Sequence, residues 1–219
     1  MVFGGSDRHR EDTAVGPVTL KVLVAGGLGV GKTTLVGSVS EIRPLRTEEI
    51  LSEAGRPFDG PEDLAALGDI RNLGKADAAG NAAKVTTVAM DFGRITLSDT
   101  LTLCLFGTPG QGRFRFLWDE LAQGALGAVV LVDTRRLEDC FAAVDYFERH
   151  AVPFAVAVNR FDGIEHHPVE AVRAALGLGE EVPVLPCDVR ERDSAREVLA
   201  SVVEHALLTG AAGRQGAAT

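Results

Sequence analysis

Gly26-Gly27-Leu28-Gly29-Val30-Gly31-Lys32-Thr33 fits the phosphate-binding loop pattern, Gly, any four residues, then Gly-Lys-Ser/Thr, without a mismatch. Glycines let such a loop wrap closely and turn its backbone N–H groups inward onto phosphate oxygens. A helix that starts where the loop ends adds a dipole favouring negative charge. In this arrangement Gly26, Gly29, Val30 and Gly31 form the cradle, and Thr34 follows in the first helical turn. Lys32 reaches the β- and γ-phosphates and neutralises charge during phosphoryl transfer, and the Thr33 hydroxyl is a candidate Mg²⁺ ligand. A second constellation, Asn159-Arg160-Phe161-Asp162, directly follows an apolar stretch. Reading a guanine takes a carboxylate facing N1–H and the exocyclic amine, and an amide facing O6 and N7. Asp162 and Asn159 supply those groups. Alone, the pattern is explained equally by an Asn-x-x-Asp turn; downstream of a phosphate loop it reads as base recognition.

Both constellations need a frame. Val18 to Ala25 reads as a strand entering the phosphate loop, and Thr34 to Ser40 as the first helix. Strands at about 85–97 and 101–106 are joined by Ser98-Asp99-Thr100, which suggests an antiparallel hairpin. The almost wholly apolar run at 125–132 suits a strand buried on both faces. A helix over 137–149 sets Leu137, Phe141, Val144 and Phe147 on one face. Further strands are expected at 153–158 and 182–185. Further helices are expected at 169–176 and 190–208, the last with Val198, Leu199, Val202, Val203, Ala206 and Leu207 inward. The expected fold class is therefore α/β, a P-loop domain with a six-stranded, mostly parallel sheet flanked by helices and ligands at its C-terminal edge. The domain is placed at 17–209, with a flexible arm at 1–16 and a flexible tail at 210–219. A long, glycine-punctuated stretch at about 43–85 reads as a mobile insertion.

The formal charge of −9 argues against a nucleic-acid backbone binder. Cys104, Cys140 and Cys187 are odd in number and lack metal-ligand spacing, so they read as small core residues in a reducing cytosol. No apolar run is long enough to span a membrane. No signal peptide, myristoylation glycine or prenylation cysteine is recognised at the termini, so membrane association is expected only through a partner.

With the phosphate loop and Asn159-Arg160-Phe161-Asp162 in place, the chain resembles the Ras-like small GTPases over roughly Thr19 to Leu208. The resemblance implies GTP and GDP with Mg²⁺ as ligands. It makes Asn159, Arg160 and Asp162 the Asn-Lys-x-Asp motif, with the arginine stem covering the base, and sets Cys187-Asp188 in the loop whose backbone N–H meets the guanine O6. Thr87-Val88-Ala89-Met90-Asp91-Phe92 looks like a switch I segment, with Thr87 the γ-phosphate-sensing Mg²⁺ ligand and Thr86 its rival. Phe106-Gly107-Thr108-Pro109-Gly110-Gln111 resembles switch II. Gly110 then bonds the γ-phosphate through its N–H, and Gln111 orients the attacking water. The usual aspartate is absent: Gly107 holds its place, which removes an outer anchor of Mg²⁺. Asp133 superficially resembles a metal-binding aspartate, but a Ras-like strand order puts it on the far side of the first strand.

A switch II of this kind is similar to that of bacterial MglA-type GTPases, and the wider context resembles the actinobacterial conservon ATP/GTP-binding proteins. That implies a slow, partner-stimulated GTPase switch in cytoplasmic signalling. A roadblock-domain protein is the implied regulator, and a sensor-kinase-like protein of the same system a further partner. Phe114, Phe116, Leu117 and Trp118, beside Gln111, are split between packing and partner contact. Alternatives are a nucleotide-binding scaffold with negligible hydrolysis, or a P-loop small-molecule kinase.

Overall fold

The computed structural model describes residues 18–51, 86–110, 116–161 and 167–216, with backbone alone at 45–51, 86–89, 116 and 211–216. Among the described residues seven strands form one sheet: β1 (Val18–Gly26), β2 (Leu45–Leu51), β3 (Thr86–Ser98), β4 (Leu101–Gly107), β5 (Gly127–Val132), β6 (Phe154–Asn159) and β7 (Val184–Cys187). Their spatial order is β2-β3-β4-β1-β5-β6-β7. The pairs β4–β1, β1–β5, β5–β6 and β6–β7 are parallel, and β2–β3 and β3–β4 are antiparallel. This is the helix-flanked, mostly parallel sheet expected from the sequence, with β2 as an added strand.

β2 lies inside the stretch read as an insertion. It pairs with β3 from Leu45 opposite Phe92 to Leu51 opposite Thr86. Among the described residues it lies at the edge of the sheet, and its Arg46-Thr47-Glu48-Glu49 has the charge and lack of apolar alternation that suit an edge strand. The remainder of that stretch lies outside the described residues.

The helices are α1 (Lys32–Val39), α2 (Phe116–Ala122), α3 (Glu138–Arg149), α4 (Val169–Leu176) and α5 (Arg192–Gly216). Alternation along β1 sends Val22 and Val24 to one face of the sheet and Leu23 and Ala25 to the other. The first pair joins a core with Leu35, Val36 and Val39 of α1 and Val198, Leu199 and Val202 of α5. The second pair joins Trp118 of α2, Cys140, Ala143, Val144 and Phe147 of α3, and Val172 of α4. Every residue of β5 and β6 is buried, as helices on both faces require. The three cysteines are free, and Cys140 and Cys187 are buried.

Two expected core residues are on the surface. Phe141 of α3 is 44% exposed and Leu207 of α5 is 58% exposed. The buried stripe of α3 runs Cys140, Ala143, Val144, Phe147, which turns position 141 about 100° away from the sheet. Helix α5 continues to Gly216, beyond the apolar periodicity. Among the described residues no helix is long and apolar enough to cross a membrane.

Candidate functional site

Parallel strands deliver their C-terminal ends to one edge of the sheet. Gly26, Gly107, Val132, Asn159 and Cys187 close β1, β4, β5, β6 and β7 there. The phosphate loop leaves β1 at this edge and enters α1. Gly31 caps α1 with φ 110°, a left-handed conformation that L side chains rarely adopt. A Cβ there would stand 3.0 Å from Asn159 Nδ2 and 3.0 Å from a Val189 methyl. Glycine thus permits both the turn and the approach of the loop that follows β7.

Lys32 Nζ donates to the carbonyls of Gly26 at 2.9 Å and Gly27 at 2.7 Å. Gly110 is close: a Cβ on it would lie 2.7 Å from the ammonium. Lys32 and Gly110, predicted to serve the same phosphate, are therefore brought together. Burial pushes the Lys32 pKa down to about 8, with Asp91 and Asp139 opposing that shift. A phosphate here would bind the charged form, and its oxygens would draw the pKa back up. Above pH 8 binding must therefore take up a proton, and affinity is expected to fall by up to about tenfold per pH unit. Calorimetry at pH 8.5 in buffers of different ionisation enthalpy checks this: proton uptake is expected, and none contradicts it.

The neighbouring Thr33 hydroxyl donates to Asp91 Oδ2 at 2.5 Å, the short length of a charge-assisted bond. Asp91 sits in β3 directly opposite Gly107 in β4. A Cβ on Gly107 would fall 3.1 Å from Asp91 Cβ and 3.3 Å from its Oδ2. The glycine clears the space that the Asp91 carboxylate occupies, so a neighbouring strand supplies the acid that β4 lacks. Next to Gly107, Thr108 is 2% exposed, and its hydroxyl is buried without a partner among the described residues. A carboxylate, a hydroxyl held against it and an orphaned hydroxyl nearby are oxygen donors suited to a hard divalent cation. Sequence reasoning missed Asp91 here; the available cue was the pairing of a missing acid in one strand with an acid in the next.

At the other end Asn159, 6% exposed, spends its amide on the protein. Nδ2 donates to Val30 O at 2.9 Å, and Oδ1 accepts from Val189 N–H at 3.3 Å. It ties the phosphate loop to the loop after β7. Arg160 N–H donates to Cys187 O at 2.7 Å. Asp188 N–H is taken by Ser194 Oγ at 3.0 Å. Its carboxylate is engaged by Arg190 at 2.6 Å, which with Arg160 holds its pKa down to about 2. In this arrangement Val189, one position later than expected, carries the weakly held N–H of the loop. A cavity of about 240 Å³ opens at the same edge, lined by residues including Thr134, Asn159, Arg160 and His167.

Other expectations are not brought together here. Thr87 pairs with Ile50 in β2; it lies four strand positions from Asp91, roughly 13 Å. The Thr87 side chain, Gln111 and Asp162 lie outside the described residues, as do Phe114 and the side chain of Phe116. Trp118 is a core residue, 6% exposed and 5.3 Å edge-on to Tyr146, so it is no partner contact. Asp133 is separated from β4 by β1 and binds arginine, which removes it from the metal end.

A family model described as "conserved hypothetical ATP binding protein" matches residues 24–209. An uncharacterized protein, MJ1339, from Methanocaldococcus jannaschii is 27% identical over 145 residues, covering 65% of this chain and 71% of that one. Among solved structures, the G domain of the T. maritima FeoB iron transporter is similar with a TM-score of 0.54 at 16% identity, over 86% of this chain and 99% of that one. The cytosolic domain of the same transporter in a GDP form gives a TM-score of 0.56 at 17% identity, over 87% of this chain and 64% of that one. At these identities the likeness is one of fold.

Proposed function

The chain belongs to the family of conserved hypothetical ATP binding proteins, and within it we propose a guanine-nucleotide switch that binds GTP with Mg²⁺ and hydrolyses it slowly. The observation that carries this reading is the Asn159 amide, which joins the Val30 carbonyl of the phosphate loop to the Val189 N–H of the loop after β7. One ligand with phosphates at one end and a base at the other fits a site whose two ends are fastened together. The family description names ATP. The choice of guanine rests on Asp162, whose carboxylate matches two donors on guanine and faces an acceptor on adenine.

Lys32 and the N–H groups of the loop hold the β- and γ-phosphates, and positioning with charge neutralisation lowers the barrier to phosphoryl transfer. Thr33 and Asp91 would hold Mg²⁺, which when bound spreads the negative charge of the phosphates. Gly110 offers its N–H to the γ-phosphate, and Gln111 orients the attacking water. Thr87 serves as the γ-phosphate sensor only if the start of β3 leaves its pairing with β2. That rearrangement is the conformational change partners read, in the manner of switch segments ordered by a γ-phosphate. Leu28, 62% exposed at the loop tip, lies next to where a stabilising arginine would enter from a partner, and without that arginine turnover of the isolated chain is slow.

Single-turnover phosphate release tests this reading. A rate below about 1 s⁻¹ is expected; a faster rate contradicts the slow switch, and no release at all leaves a nucleotide-binding scaffold. Asp91→Asn is expected to raise the Mg²⁺ concentration needed for tight nucleotide binding by about tenfold, with affinity in chelator unchanged. An unaltered Mg²⁺ titration contradicts the assignment of Asp91. The system is read as cytoplasmic bacterial signalling, with a roadblock-domain protein docking on the switches and favouring the GTP form. Equal retention by GDP-loaded and GTP-analogue-loaded protein in a pull-down contradicts that partner.

A further inference from the structure

Asp133 follows β5, whose residues are all buried, and is itself 4% exposed. Its carboxylate accepts from the Arg135 backbone N–H at 3.0 Å, from Arg135 Nε at 2.8 Å and from Arg135 Nη2 at 2.6 Å. Arg136 Nη2 lies 3.8 Å from the same carboxylate. From this shared acid the two guanidinium groups reach different loops. Arg135 Cζ stands 4.3 Å from the ring centroid of Phe161, inside the Asn159-Arg160-Phe161-Asp162 motif. Arg136 Nη2 donates to the Leu28 carbonyl at 2.9 Å, at the tip of the phosphate loop. Arg136 Nη1 also lies 3.7 Å from Asp139 Oδ2. Asp139 backs the loop closely: a Cβ on Gly27 would fall 2.6 Å from Asp139 Cβ.

The Arg136 guanidinium is engaged by the Leu28 carbonyl, Asp133 and Asp139, so it is spent on holding the loop. Arg135 likewise reaches the base motif through Phe161. Neither guanidinium is placed to do chemistry, yet each fixes one of the loops that hold the ligand. A bidentate arginine–carboxylate pair is directional, and stacking on an aromatic face adds a second constraint.

We infer that Asp133, Arg135 and Arg136 form a positioning brace with two arms, Arg135 setting base discrimination through Phe161 and Arg136 setting phosphate affinity through Leu28. The inference rests on the reading of this edge as a nucleotide site. Asp133 is the residue common to both arms, and its burial makes the brace rigid at its root.

The test uses the full chain and three variants, Arg135→Ala, Arg136→Ala and Asp133→Asn. Calorimetry measures GTP, ATP and tripolyphosphate, which has no base; thermal melting confirms that each variant is folded. Small displacements of binding groups are costly, so about tenfold effects are expected. Arg135→Ala lowers the ratio of affinities for the preferred and the other base, with tripolyphosphate affinity retained. Arg136→Ala weakens tripolyphosphate and both nucleotides in equal proportion, with the ratio retained. Asp133→Asn does both. The brace is overturned if the two arginine variants change all three affinities in the same proportion, or if only the melting temperature moves. The parent protein tests the underlying reading separately. Preference for ATP defeats the guanine reading and leaves the two arms to be scored by the same ratios, whereas a parent that binds none of the three ligands defeats both.

Discussion

Replacing Lys32 with alanine is expected to weaken triphosphate binding by about 100-fold or more. The ammonium sits on the Gly26 and Gly27 carbonyls, within reach of the space in front of Gly110, and phosphates compete for it as charged acceptors. A hydrogen bond to a charged group contributes about 1.5–3 kcal/mol, and two phosphates share this cation. The combined loss of about 3 kcal/mol or more corresponds to about two decades in affinity. The substitution removes no core residue, so the melting temperature of the unliganded protein should change little. Lys32→Ala that binds GTP like the parent removes the phosphate-loop assignment.

Asp162→Asn is expected to transfer preference from guanine to xanthine. An amide in place of the carboxylate keeps an acceptor for N1–H, loses acceptance from N2–H of guanine and gains a donor for the C2 oxygen of xanthine. A site built to hydrogen-bond a group rejects the mismatched base strongly, because buried polar partners are left unpaired. The expected reversal is about 100-fold in the ratio of GTP to XTP affinity. Asn159 is not interchangeable with Asp162 here. Its amide holds Val30 and Val189, so its loss should loosen both ends of the site and weaken GTP and XTP together.

The legible parts of this chain are those coded locally. Gly26 to Thr33 carries its own chemistry and spacing, and the apolar runs of β5 and β6 announce strands covered on both faces. The core alternation of β1 is visible in Val22 to Ala25. Features that depend on neighbours in space were harder to read. β2 has no apolar face of its own and is defined by its partner β3. Asp91 belongs to a motif read for its threonines, and its role appears only when β3 lies against β4 with Gly107 opposite. Asp133 invited comparison with a metal-binding acid, but β5 lies across β1 from β4 and the carboxylate is occupied by Arg135. Phe141 fits an i, i+4 pattern with Leu137, yet Cys140 and Ala143 show the true inward stripe. Small residues at a close helix–sheet contact outweigh a larger apolar side chain, because packing depends on angle as well as hydrophobicity.

The most direct measurement is calorimetric titration of the unmodified protein, freed of nucleotide, with GTP, GDP and ATP in the presence of Mg²⁺. A guanine-nucleotide site at this edge would bind GTP and GDP tightly, with ATP weaker by about 100-fold or more. ATP binding as tightly as GTP would contradict the account at its centre.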